Sequence, residues 1–201
     1  MNNHSNQTPV ILASQSPRRK QLLEWAEIPF EVIVKETDES YPEGLSMDAV
    51  AMHIARNKAL AVQQLIAINN DQKNIHKTIV AADTIVVLND EVIGKPRNRD
   101  HALEILKSLS GQTHKVVTGV VILSKEKETA FADITEVTFH SLEEDQLIFY
   151  IDKYKPYDKA GAYAIQEWIG VVGIKKVEGD FYNVMGLPVS RVVQELEKLA
   201  G

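Results

Sequence analysis

Hydrophobic and polar positions alternate along this chain between short apolar runs and longer helical periods. Residues 10–13 form a brief apolar run that reads as a buried strand, and the amphipathic stretch 20–26 follows it directly. Residues 30–34 read as a second strand. Val50, Ile54, Leu60 and Leu65 mark an apolar stripe on a long helix opened by Ser46 and reaching roughly Asn69. The longest apolar run, 79–88, is rich in β-branched residues and reads as a buried strand. Asn89-Asp90 then signals a two-residue hairpin turn that returns the chain through 91–93.

Further on, Asp100 caps a helix to Leu109, and 114–123 with 129–139 read as an antiparallel pair of longer strands. Ser141 and Glu144 form a capping box for a helix to about Asp152. Residues 171–177 read as a strand turned at Glu178-Gly179-Asp180 onto a partner strand, 181–185, and 189–199 form the last amphipathic helix. This order predicts an α/β protein with a mixed, twisted sheet and flanking helices, in one domain over 9–201 behind a flexible polar tail, 1–8. The antiparallel hairpins argue against a purely parallel doubly wound sheet.

One position breaks the pattern. Asp83 lies in the middle of the apolar run 79–88, and an ionised carboxylate buried without partners costs several kcal/mol or shifts its pKa. Asp83 is therefore expected in a cleft, near cations or a metal. The return strand of its hairpin delivers Gly94-Lys95-Pro96, an amine that the same hairpin can present to that cleft. Upstream, Ser14-Gln15-Ser16-Pro17-Arg18-Arg19 joins the first strand to the first helix, with Ser16 as N-cap and Pro17 at the first helical position. Free N–H groups beside two hydroxyls and two guanidinium groups make a phosphate site; an ordinary capped helix with solvated arginines is the alternative. The acidic loop 36–40 matters only if it folds toward Asp83, where a second carboxylate would help hold a divalent cation. Residues 155–166 form a loop of small and polar residues, suited to close approach of a ligand or of a packed neighbour.

Composition narrows the function classes. The chain has 201 residues, 44% hydrophobic and 25% charged, and no window approaches the roughly 18 consecutive apolar residues of a membrane span. The polar start lacks the regions of a signal peptide, and zero cysteines exclude disulfides, cysteine catalysis and thiolate metal sites, so a cytoplasmic protein is expected. A net charge of −6 argues against nucleic acid polymers and anionic membranes as partners, and requires a local cationic cluster for any anionic substrate. The six histidines lack paired ligand spacing, so an expected metal is a hard ion on oxygen ligands. Neither a Walker A sequence nor a dinucleotide fingerprint is present.

Seven segments occur together and in order: LASQSPRR at 12–19, NKA at 57–59, AADT at 81–84, GKP at 94–96, LSGQTH at 109–114, DKAGAYAIQ at 158–166 and MGLP at 185–188. In combination they resemble the Maf family of nucleoside triphosphate pyrophosphatases, and the sixth resembles the branch acting on dTTP and UTP. Ala164 departs from that branch, where glycine is common, and an added methyl there would narrow a base pocket. The resemblance implies a fold like that of inosine triphosphate pyrophosphatase, with two lobes around an active cleft, often as a homodimer. It implies hydrolysis of dTTP and UTP to the monophosphate and pyrophosphate with a divalent cation, Mg2+ or Mn2+. Carried onto this chain, the family's catalytic acid falls on Asp83. Its specificity positions fall on Arg18, Thr84 and Gln166, and further site contacts on Ser14, Arg19, Glu39, Lys58 and Lys95, with Glu39 and Asp83 the metal candidates. Asp83 then serves either as the base for the attacking water or as a metal ligand. A nucleotide-binding regulator of septum formation and the same chemistry on 7-methyl-GTP are the competing readings.

Overall fold

The computed structural model describes residues 8–125 and 127–200, so the expected polar tail lies outside the described residues except for Thr8. Among the described residues, seven strands form one mixed sheet in the order β2-β1-β3-β5-β6-β7, with β4 pairing with β3. These strands are β1 (Val10–Leu12), β2 (Phe30–Val32), β3 (Ile79–Leu88), β4 (Glu91–Ile93), β5 (Thr113–Leu123), β6 (Glu128–Phe139) and β7 (Ile174–Glu178). β1 runs parallel to both β2 and β3, while β3–β4 and β6–β7 are antiparallel. The α/β class with a mixed sheet and flanking helices is therefore the architecture found.

The chain divides into two compact units. The first comprises 1–83, 118–132 and 186–201, and the second 84–117 and 133–185. In the first, helix α1 (Pro17–Trp25) follows β1 and helix α2 (Met47–Ile68) follows β2. Ala55, Ala59, Val62 and Ile66 of α2 pack on Ile11 and Ala13, on Ile79 and Ala81 of β3, and on Val121 and Leu123 of β5. The buried face of α2 is thus made of small residues and β-branched ones; Leu60 and Leu65 sit at its margin, half-buried. Small residues let the helix approach the sheet closely. A Cβ on Gly119 of β5 would lie 2.3 Å from the backbone of Ala51 and Met52, so this position tolerates no side chain.

In the second unit, Asn89 and Asp90 both take positive φ, 52° and 63°, as a two-residue hairpin turn between β3 and β4 requires. Helix α3 (Arg99–Leu109) packs against α4 (Glu144–Tyr154) and against a 3-10 turn at Ala160–Ala162. Its cap is Asn98 rather than Asp100, because the Asn98 side chain accepts from the His101 N–H. The capping box of α4 is Glu143 with Gln146, two residues beyond the expected pair.

The expected hairpin over 171–185 is not found. Residues 168–173 form helix α5 (Trp168–Gly173), β7 begins only at Ile174, and residues 181–185 form helix α6 (Phe181–Met185). A short run such as Val171-Val172 carries no periodicity that separates helix from strand. Local hydrogen bonds decide: the Gly170 and Val171 N–H groups donate to the Glu167 carbonyl, and the Tyr182 N–H donates to the Asp180 carboxylate. Asn183 of α6 is fully buried, its amide donating to the Val116 carbonyl and to Thr135 Oγ1. Helix α7 (Val189–Ala200) closes the chain.

Candidate active site

Asp83 occupies the centre of β3 and is 9% exposed. Its compensating charge comes from α2. Lys58 Nζ donates to Asp83 Oδ1 at 2.6 Å and to Glu39 Oε1 at 2.8 Å. Lys58 lies one turn after the buried Ile54 of α2, and its ammonium reaches the strand. The side chains of Lys58 and Asp83 are only 18% and 12% exposed, so this is not a solvent-screened surface pair. The loop carrying Glu39 does fold back toward Asp83, as a shared ammonium requires.

Arg19 supplies a second cation in the same unit. It is 9% exposed although it belongs to the first turn of α1. Its Nη1 donates to Ser14 Oγ at 3.0 Å and its Nε to the Gly186 carbonyl at 2.7 Å. Gly186 has φ +116°, a conformation that favours glycine. Burial lowers the pKa of the Arg19 guanidinium, the Asp83 charge opposes that shift, Arg18 beside it adds to the lowering, and Glu39 opposes it. A guanidinium keeps its proton through such shifts, so Arg19 is a fixed buried charge. Ser14 Oγ also accepts from the Ser16 N–H at 3.2 Å, and the Ser16 side chain makes no capping bond. The serine that satisfies the helix entry is therefore Ser14, from the preceding loop. Ser14, Arg18, Arg19, Glu39, Lys58 and Asp83 thus belong to one electrostatically linked set in the first unit.

The remaining expected residues lie in the second unit. Thr84 follows Asp83 on β3 and is half-buried; Lys95 and Gln166 are exposed. The segments carrying Lys95 and Gln166 are joined, because the Gly161 N–H donates to the Gly94 carbonyl at 3.2 Å. Sequence reasoning passed over three residues that support this region. Lys159 is buried and contacts Asp158 Oδ1 at 2.8 Å and Glu167 Oε1 at 3.6 Å. Tyr150, fully buried on α4, donates through its hydroxyl to the Glu167 carboxylate. A lysine amid the small residues of DKAGAYAIQ was the available signal for the first, whereas nothing in the sequence around Tyr150 or Glu167 marks their pairing.

Among the described residues no three His, Asp or Glu side chains gather into a ready-made metal cage. Asp83 and Glu39, converging on one ammonium, are hard oxygen donors of the kind that bind Mg2+ together with substrate phosphates, which needs one or two carboxylates rather than a full protein cage. They fit such an ion.

A mixed open sheet with an acid set into its central strand, bridged by a lysine to a second carboxylate, defines an α/β protein equipped to meet a polyanion. The chain belongs to the Maf-like protein family, whose model matches residues 9–199. It is 49% identical over 197 residues to the dTTP/UTP pyrophosphatase of Cytophaga hutchinsonii, covering 98% of this chain and 87% of that protein. It is 46% identical to the dTTP/UTP pyrophosphatase of Parabacteroides distasonis, over 94% of each chain. A protein of the same name from Bacteroides fragilis is 42% identical, over 94% of this chain and 95% of that protein. No helix among the described residues is long and apolar enough to cross a membrane.

Proposed function

We propose that this protein hydrolyses dTTP and UTP to the nucleoside monophosphate and pyrophosphate. The observation that carries the reading is Asp83, a carboxylate in the middle of a buried strand, held by Lys58 and coupled to the buried guanidinium of Arg19. Relatives bearing this activity in their names, at 42–49% identity over nearly the whole chain, support it.

In the proposed reaction a water attacks the α-phosphorus, its proton passes to Asp83, and the bond from the α-phosphorus to the bridging oxygen breaks to release pyrophosphate. With Oδ1 engaged by Lys58, Oδ2 is the oxygen left to take the proton. Arg18, Arg19, Lys58 and Lys95 neutralise charge spreading over the phosphate oxygens, and Ser14 adds a neutral donor, so positioning and electrostatics carry most of the rate. Gln166 offers a donor and an acceptor to the imide edge of uracil or thymine, and Thr84 a hydroxyl. Glu39, with Asp83 beside it where Asp83 acts as ligand instead of base, would hold a Mg2+ or Mn2+ ion, which when bound offsets phosphate charge and acidifies water.

The same reading includes a nucleoside triphosphate as partner rather than a nucleic acid polymer, a cytoplasmic location, and a homodimer. The net charge of −6 supports the first. Exposed apolar side chains on α4 and α5, among them Phe149 and Val171, are in keeping with a homodimer.

The test is pyrophosphate release from a panel of UTP, dTTP, CTP and 7-methyl-GTP, with and without Mg2+. Metal-dependent release from UTP and dTTP is expected. Binding of these nucleotides without turnover would instead support a nucleotide-binding regulator, and preferential turnover of 7-methyl-GTP would move the base assignment.

A further inference from the structure

The segment 159–167 is fixed along nearly its whole length. The Gly161 N–H donates to the Gly94 carbonyl, and a Cβ at Gly161 would meet Val86 Cγ2 at 2.9 Å. Tyr163 Oη bonds His114 Nε2 at 2.8 Å, with both rings packed on Phe139. The Ala164 N–H donates to Tyr150 Oη at 3.2 Å, and the Glu167 N–H returns to the Ala164 carbonyl at 3.1 Å. Gly170 lies so close to Ile165 that a Cβ there would fall 1.7 Å from its carbonyl oxygen. Residues 161–165 are all buried, and Gln166 follows them exposed.

Tyr150 is the common point of this framework. Its hydroxyl accepts from the Ala164 N–H and donates to the Glu167 carboxylate, so one oxygen ties together the residues two before and one after Gln166. Glu167 is held from its other oxygen by Lys159, at the opposite end of the segment. The ring of Tyr150 is itself fixed, fully buried and stacked on Tyr154 at 5.0 Å. A segment tied on both sides of one residue has little freedom there, and groups that read a ligand through hydrogen bonds depend on such support for their discrimination.

We propose that Tyr150 is a specificity-determining positioning residue: its hydroxyl bridge from the Ala164 N–H to the Glu167 carboxylate ties the chain before Gln166 to the side chain after it and thereby sets pyrimidine selectivity, without taking part in phosphate chemistry. The proposal rests on the base-reading role of Gln166 given above. A small displacement of that amide weakens a paired donor and acceptor more for the matching base than for a base that never satisfied it.

The test compares kcat and KM for UTP and CTP in the wild type, Tyr150→Phe and Gln166→Ala, with thermal melting of each. Tyr150→Phe removes one oxygen and keeps the ring. The expected result is a UTP/CTP ratio of kcat/KM lowered about tenfold, carried by a higher KM for UTP with kcat within about threefold. If Tyr150→Phe is unfolded at the assay temperature, Glu167→Ala, which removes the other half of the bridge, carries the same expectation. An unchanged ratio, or an equal loss of kcat on both nucleotides, overturns the proposal. Loss of selectivity in Gln166→Ala with selectivity kept in Tyr150→Phe sinks the positioning role alone. Selectivity kept in Gln166→Ala, or no turnover of UTP by the wild type, overturns the underlying base-reading assignment and the proposal with it.

Discussion

Lys58 Nζ lies 2.6 Å from Asp83 Oδ1 and 2.8 Å from Glu39 Oε1, so a single ammonium separates the two carboxylates of this site. That arrangement makes Asp83 affordable inside an apolar strand. An ion pair that also carries hydrogen bonds offsets part of the desolvation that burial imposes.

Asp83→Asn preserves shape and a hydrogen-bonding oxygen while removing the base. Its kcat for UTP should fall by about 10²–10⁴-fold, the usual contribution of a positioned general base, with the melting temperature lowered because Lys58 loses the charge of its largely buried partner. Pyrophosphate assays and calorimetry on the same preparation check both halves. A kcat within threefold of wild type would remove Asp83 from the chemistry.

Glu39 is half exposed, and its substitution should be tolerated structurally. In Glu39→Gln the Mg2+ concentration giving half-maximal rate should rise severalfold, with most of the rate recovered at high Mg2+, because one charged oxygen donor is lost. A Mg2+ titration identical to that of the wild type would exclude Glu39 as a metal donor.

Arg19 is predicted to matter for stability as well as for substrate. Arg19→Met removes the hydrogen bonds that Arg19 gives to the Gly186 carbonyl and Ser14 Oγ in a buried setting and a cation from beside Asp83. Unfolding in urea should show a loss of about 2–4 kcal/mol. Arg19→Lys should recover only part of it, since a single ammonium does not reproduce the guanidinium fork. Full recovery in Arg19→Lys would refute the two-point anchoring.

His114 gives a pH dependence. Burial lowers its pKa from 6.5 to about 4, and the ring stays neutral against the Tyr163 hydroxyl. Above pH 6.5 neither folded nor unfolded His114 binds a proton, so its contribution to stability is constant. Between 6.5 and about 4 only the unfolded chain binds it, so stability falls as pH falls, by about 3 kcal/mol in all. Urea unfolding at pH 8, 6 and 4.5 should show a shallower decline in His114→Gln than in the wild type. Parallel profiles would contradict this.

Much of the architecture was legible because its signals are local. The run 79–88 reads as a strand from its composition, and Asn89-Asp90 as its turn from the two positive φ angles that such a turn demands. Asp83 stood out for the same reason, as a charge that one apolar run cannot accommodate by itself. Where two local solutions were close in energy, as over 171–185, the reading failed: helices α5 and α6 are selected by the Glu167 carbonyl, the Asp180 carboxylate and the buried amide of Asn183.

By itself the sequence determined the α/β order of elements, the conflict at Asp83 and, through seven ordered motifs, the family. Only the tertiary structure decided which cation answers Asp83. Lys58 stands 25 residues away on another element, and its reach depends on how closely the Ala55 and Ala59 face of α2 settles on the sheet. The bridge from Tyr150 to Ala164 and Glu167 has the same character, since a buried hydroxyl finds its partners through packing and no spacing in the chain encodes it.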